Sequence, residues 1–346
     1  MSNIEGDEDV RGSSIRVRRL RLPSIRSKAS KVSLVDEFSW NADQMSENRL
    51  IEELQNLNYL IGNTVLQAMN GVLSKKFKDT RSAKIHRMSL ETLRSLGPMR
   101  EVYMQLISVD DPPNVAKQDL LAESLLRNQI CQLLFEAFFT GHFFCGISEP
   151  TRTVLESSFE FIRENGKRIE SLNTKNYTKL ILFVESHIAS QRWRSMAIAA
   201  AFATSGSTPQ LEDVTTSITD EIRRTFLRVF PYRTKNFNRR IDEYLHTAKD
   251  GLYEIVRKAH EFSLSIQRDI ISSFVKVTCG SHSFGACGSF EARRAIGAWN
   301  NDVNSKKGDR VLGTFEFGLE QVASDGEIKI LVKPIVITDA LLRSKI

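Results

Sequence analysis

The chain has four cysteines in 346 residues, at positions 131, 145, 279 and 287. That is too few to staple a protein of this size, and no apolar stretch near the first residue leads into a small-residue cleavage site. The expectation is reduced thiols and a cytoplasmic or nuclear location. The six histidines are scattered singly, and the chain has no H-E-x-x-H pair, no Walker lysine loop and no dinucleotide glycine fingerprint. A long apolar run is also missing. The best candidate, ICQLLFEAFFTGHFFCGI at 130–147, is interrupted by Gln132, Glu136, Thr140 and His142, whereas a spanning helix needs about 20 apolar residues. It reads as a buried helix followed by a loop. Strand-like alternation is scarce before residue 277, and no repeat of useful period is present.

What the sequence does have is helical periodicity. Leu50, Leu54, Leu57, Ile61, Val65 and Ala68 recur at steps of three and four, with Arg49, Glu52, Glu53, Gln55 and Asn56 filling the other face. A single apolar stripe of this kind packs inside a bundle. A second helix is expected over 88–108, kinked at Gly97-Pro98 because proline removes a backbone donor, and VDDPPN at 109–114 stops it. Leu120, Leu121, Leu125, Leu126, Ile130, Leu133, Leu134, Ala137 and Phe138 leave only a narrow polar edge, so their helix is expected at the centre. Further helices are expected from SEPT at 148–151 through Ile162, over 176–204, from Leu211 onward after the GSTPQ loop, and over 241–277.

The last 70 residues differ. Glycine is frequent from 280 to 318, and FEARRAIGAW at 290–299 has room for a short helix only. EIKILVKPIVIT at 327–338 is β-branched and alternates, with Pro334 suited to an edge. Preceded by Ser-Asp-Gly, it is expected to pair with VLGTFEFGL at 311–319 as a small hairpin. The predicted fold is therefore all-α. A multi-helix bundle spans 39–277, a disordered basic tail spans 1–38, and a Gly-rich mixed extension carrying the β-hairpin spans 278–346 and packs on the bundle.

The order of several features bears comparison with known chains. Trp-Asn-Ala-Asp at 40–43 leads into the first helix, LISVDDPPN precedes LLAESLLRNQICQLLFEAFF, HFFCGI follows, and QRWRSMAI lies at 191–198. In this order they resemble uncharacterised helical proteins of filamentous fungi, over about residues 40 to 275. The resemblance implies a helical fold and brings no activity, cofactor or site residue with it.

Charge is unevenly placed. The net charge is +6, but residues 1–10 hold four acids and no base, and residues 11–35 hold eight bases and no acid, leaving the body near neutral. Arg19, Arg21 and Ser24 have the R-x-R-x-x-S spacing of a basophilic kinase target, and phosphate on Ser24 would add roughly −1.5 to −2 charge to a positive segment. The surrounding RVRRLRLPSIRSKASK also resembles a nuclear import signal. A second basic cluster carries Arg223, Arg224, Arg228, Arg233, Lys235, Arg239 and Arg240, interleaved with Phe226, Phe230, Tyr232 and Phe237. Cations for phosphate and aromatics for stacking are the composition of a polyanion groove. Against it, Phe226 and Phe230 are four apart and suit a core face, and Asp220, Glu221, Asp242 and Glu243 flank the arginines. Trp193, between Arg192 and Arg194, suits a packing anchor better than a cation–π or anion-binding site.

VTCGSHSFGACGS at 277–289 looks most like a site. Ser283 mimics a hydrolase nucleophile elbow, but that order requires a histidine downstream and His282 is the last one in the chain. Cys279, His282 and Cys287 have spacings that suit zinc, yet a closed site needs a fourth ligand and none lies nearby in sequence. The stretch reads as a glycine-rich exit from the helical body. The functional expectation is a non-enzymatic interaction or regulatory protein that uses no cofactor. Two alternatives stand beside it. One is a binder of nucleic acid or anionic phospholipid through the tail and residues 223–240. The other is an enzyme with a buried helical pocket.

Overall fold

The computed structural model describes residues 45–73, 99–100, 104, 115–140, 152–161, 190–198, 211–230, 235–270, 272–280, 288–299, 305–323 and 326–343. The tail with Ser24, the Gly97-Pro98 kink, VDDPPN, GSTPQ and residues 281–287 lie outside them. Among the described residues four long helices stand out in the body: α1 (Glu47–Val72), α2 (Val115–Phe138), α3 (Leu211–Val229) and α4 (Lys235–Asp269). Ser46 starts α1 by accepting the Arg49 amide at 3.3 Å. Glu47 in the first turn suits the positive helix end and holds Lys329 Nζ at 2.8 Å. The expected stripe, extended by Val72, is buried along the whole length of α1. Burying each such Leu or Val completely is worth about 1.5–3 kcal/mol. α2 is the central helix, touching α1, α3, α4 and the sheet region.

The chain is mostly helical but not purely all-α. α4 ends at Asp269, and the expected helical continuation to 277 is instead strand β1 (Phe274–Thr278), with Val275 and Val277 inward and Lys276 outward. The β-branched residues fit a pleated surface and alternate with period two. FEARRAIGAW forms no helix. A turn at 292–294 leads into a short strand, β2 (Ile296–Gly297).

The remaining strands are β3 (Val311–Glu316), β4 (Gly318–Val322), β5 (Ile328–Val332) and β6 (Ile335–Thr338), followed by a short helix, α5 (Ala340–Arg343). Together β3–β4 and β5–β6 make a long antiparallel ribbon that is broken at matching points. β4 pairs with β5 and β3 with β6, and β1 and β2 each add to one edge, giving orders β1-β4-β5 and β2-β6-β3. Pro334 is buried at the break rather than exposed on an edge. A Cβ on Gly318 would lie 2.5 Å from its ring nitrogen, so only glycine fits opposite it. Gly326, with φ of +85°, supplies the left-handed residue of the ribbon's turn.

Helices and sheets share one apolar core running from Met45 to Leu341. They meet through a buried polar seam that replaces missing ladder bonds. Asn58 of α1 donates from Nδ2 to the Phe317 carbonyl at 2.9 Å and accepts the Phe317 amide at 3.0 Å. Phe317 is the residue between β3 and β4. Asn128 of α2 accepts the Thr314 amide at 2.8 Å, beside a bulge in the β3–β6 register. Arg127 lies 3.1 Å from Glu123 and 3.5 Å from Glu316, over the Phe315 ring at 4.1 Å. Burial raises the pKa of both carboxyls, against the pull of Arg127.

Replacing Asn58 by Leu strands two buried backbone groups at once, each costing about 1–3 kcal/mol. Asn58→Leu is expected to lower the unfolding free energy by about 2–4 kcal/mol with an unchanged denaturant slope, read from urea titrations.

Candidate anion-binding pocket

The structure scatters the basic cluster among partners. Arg223 pairs with Asp242 at 2.5 Å, Arg224 and Arg228 share Glu221 at 2.9 and 2.7 Å, and Arg239 pairs with Glu243 at 3.2 Å. Arg240 is partly buried. Arg233 and the side chain of Lys235 lie outside the described residues. Phe226, Phe230 and Phe237 are core residues in mutual ring contact, with centroids 6.2 and 6.4 Å apart, so none offers a face to a base.

Of the thiol–imidazole triad only Cys279 is described. It is buried at the end of β1 and shares a hydrogen bond with Thr314 Oγ1 at 3.0 Å. His282 and Cys287 lie outside the described residues. Among those residues, no three His, Cys, Asp or Glu side chains come close enough to hold a metal ion. Burial, reinforced by neighbouring Cys279, pushes the Cys131 thiol well up, which keeps it protonated and unreactive.

The most site-like geometry lies elsewhere, where a helical segment at 190–198 meets the ends of α2, α4 and β1. Ser190, Gln191, Arg194 and Ile198 fall on one face at helical spacing, and all four are buried. Trp193 packs with Phe159 and Ile198, as a packing anchor should. Arg194 is only 1% exposed and lines a pocket of about 360 Å³. Its walls are Phe135, Phe138, Phe139 and Phe274, with Ser263 and Gln267 of α4 adding polar atoms. Exposed Thr140 and Lys276 also line it and mark its open side.

The electrostatics of this pocket are one-sided. Two bases and no acid line it among the described residues. Nη2 of Arg194 reaches the Ile270 carbonyl only at 3.5 Å, the guanidinium sits 5.4 Å from the Phe274 ring, and Nε has no hydrogen-bond partner. Burial alone pulls its pKa down from the ordinary arginine value to about 10. Arg194 therefore remains charged at neutral pH. That drop corresponds to a cost of about 3 kcal/mol at about 1.4 kcal/mol per pKa unit. The cost applies wherever folded and unfolded chains are both protonated, and it is relieved only as pH rises above about 10, toward the ordinary arginine value. One long hydrogen bond and a ring contact offset little of it.

The polar side is equally specific. Ser263 donates its hydroxyl proton to the Phe138 carbonyl at 2.5 Å, closing the end of α2. It can then only accept, and it does so from Gln267 Nε2 at 3.4 Å. That leaves Gln267 Oε1 buried without a donor.

No family model, no curated protein and no solved structure matches the chain. The chemistry of the pocket must be read from its own atoms. A fixed cation at the base, apolar walls and a basic rim suit an amphipathic anion. The sequence around Trp193 admits an anion-binding role for its flanking arginines but favours packing. The available signal was a pair of polar residues, Gln191 and Arg194, on the stripe that also holds Ile198. No helix among the described residues is long and apolar enough to cross a membrane.

An arginine kept for packing would lower stability when replaced, whereas one kept for a ligand would not. Arg194→Met is expected to hold or raise Tm, by about 2–5 °C, because it removes an uncompensated buried charge while keeping much of the volume. Differential scanning calorimetry of the two proteins measures this.

Proposed function

We propose that the chain is a ligand-responsive interaction protein of the cytoplasm or nucleus that works by recognition, its ligand being a small organic anion held at Arg194. The observation that supports this reading is the buried guanidinium facing a 360 Å³ pocket with no carboxylate beside it among the described residues. A charge kept at such a cost is best accounted for by something it binds. Binding rather than catalysis is favoured because the hydroxyl that α4 brings to the pocket among the described residues, that of Ser263, is committed to the Phe138 carbonyl. His260 is pressed against Phe138, with ring centroids 5.7 Å apart, and burial lowers its pKa. The polyanion alternative gains less support, since four of its arginines already hold carboxylates.

The pocket joins elements far apart in sequence, and this gives recognition a route to regulation. Ser195, next to Arg194, donates to the Arg268 carbonyl at the end of α4 at 2.6 Å. A ligand at Arg194 would therefore strengthen the attachment of segment 190–198 to the body.

The test is thermal stability against ligand concentration. 3-Phenylpropanoate is expected to raise Tm progressively, with about 2.7 kcal/mol of added stability at a hundred times its dissociation constant. 3-Phenylpropan-1-ol, which lacks the charge, should have no such effect, and Arg194→Met should abolish the response to the acid. An equal response in wild type and variant sinks the proposal.

A further inference from the structure

The pocket holds more information than the charge of its ligand. Three measures bear on the ligand's class. The first is volume: at about 30 Å³ per non-hydrogen atom, liquid water's share, 360 Å³ has room for about a dozen atoms. The second is charge. Among the described residues one buried cation faces the space, and Lys276 at the rim is exposed. A single carboxylate matches Arg194 one to one. A phosphate would bring a second charge into a site with phenyl walls and, among the described residues, no second buried cation to meet it.

The third measure is the orphaned acceptor. Ser263 has given its proton to Phe138, so only the nitrogen end of Gln267 can satisfy it, and Oε1 is turned away with no donor. A bare carboxylate would meet this oxygen with repulsion. A ligand carrying an O–H or N–H next to its carboxylate would complete it.

We infer that the pocket is a site for a monocarboxylate of about a dozen non-hydrogen atoms with an apolar side group and a hydrogen-bond donor next to the carboxylate, such as a 2-hydroxy acid or an N-acyl amino acid. The carboxylate binds Arg194, the donor binds Gln267 Oε1, and the side group lies among Phe135, Phe138, Phe139 and Phe274. This assignment depends on the pocket reading proposed above and adds the ligand class to it.

Isothermal titration calorimetry on the full chain tests it with 3-phenyllactate, 3-phenylpropanoate, 3-phenyllactamide and inorganic phosphate. 3-Phenyllactate is expected to bind about tenfold more tightly than 3-phenylpropanoate, the effect of satisfying one buried acceptor. The neutral amide and phosphate should not bind measurably. Gln267→Leu should bring 3-phenyllactate down to the affinity of 3-phenylpropanoate. Arg194→Met should lose both acids, and Arg194→Lys, which retains the charge without the fork, should bind both more weakly than wild type. Circular dichroism confirms that each variant is folded.

Equal affinity for the two acids, with binding still lost in Arg194→Met, overturns the donor assignment and leaves the pocket reading standing. Phosphate binding more tightly than either acid overturns the monocarboxylate class. If neither acid binds wild type, or Arg194→Met binds them unchanged, the pocket reading falls and this inference falls with it.

Discussion

The side-chain amide of Asn58 is the contact on which the rest of the arrangement depends. It offers the Phe317 backbone the same donor and acceptor that a neighbouring strand would offer. Phe317 lies where the ribbon leaves one sheet and enters the other, a place where no strand can supply those bonds. An unpaired amide and carbonyl buried there would oppose the fold. With Asn58 in place, the ribbon can bend across α1 and bury Phe317 against Phe139, the ring centroids 5.6 Å apart. Asn128 accepts the Thr314 amide, and a Cβ on Gly313 would strike Asn128, so the helix fits against bare backbone. Helices and sheets are thus joined by backbone recognition as well as by apolar contact.

Much of the helical body was legible because it obeys one period. The stripe from Leu50 to Ala68 and the near-continuous apolar surface of α2 announce both helix and burial, and the core confirms both. The ends of elements were less legible. Nothing local marks Asp269 as the end of α4, since Phe274, Val275 and Val277 also suit a helical stripe. Pairing with β4 decides the matter, and that partner lies 40 or more residues away. Pro334 was read for what it lacks, an amide to donate, and an edge satisfied that reading. Its actual place, buried opposite Gly318, depends on a bend that no single segment encodes.

The pocket was the least legible part, for a physical reason. The composition of residues 223–240 advertised a binding surface, but composition cannot show that Glu221 neutralises two of its arginines while its phenylalanines turn inward. Arg194 advertised little, because a basic residue next to tryptophan on a helix is ordinary and packing is the simpler reading. What sets it apart is the absence of a counter-charge among the described residues, and that depends on every element that approaches it. Sequence displays charges, whereas a site is defined by which charges are left uncompensated.

The bent ribbon has a consequence for how the chain tolerates change in length. One continuous pair of strands serves two sheets, and Val311 is locked to Thr338 at one end while Val322 is locked to Ile328 at the other. Everything between moves like meshed teeth: a residue gained on one side of the break would turn all later side chains to the opposite face. The turn around Gly326 is the one stretch of the ribbon outside this gearing. Insertions that the fold accepts in this region should therefore collect there, at the tip, and be absent from the crossing at Phe317 and Pro334.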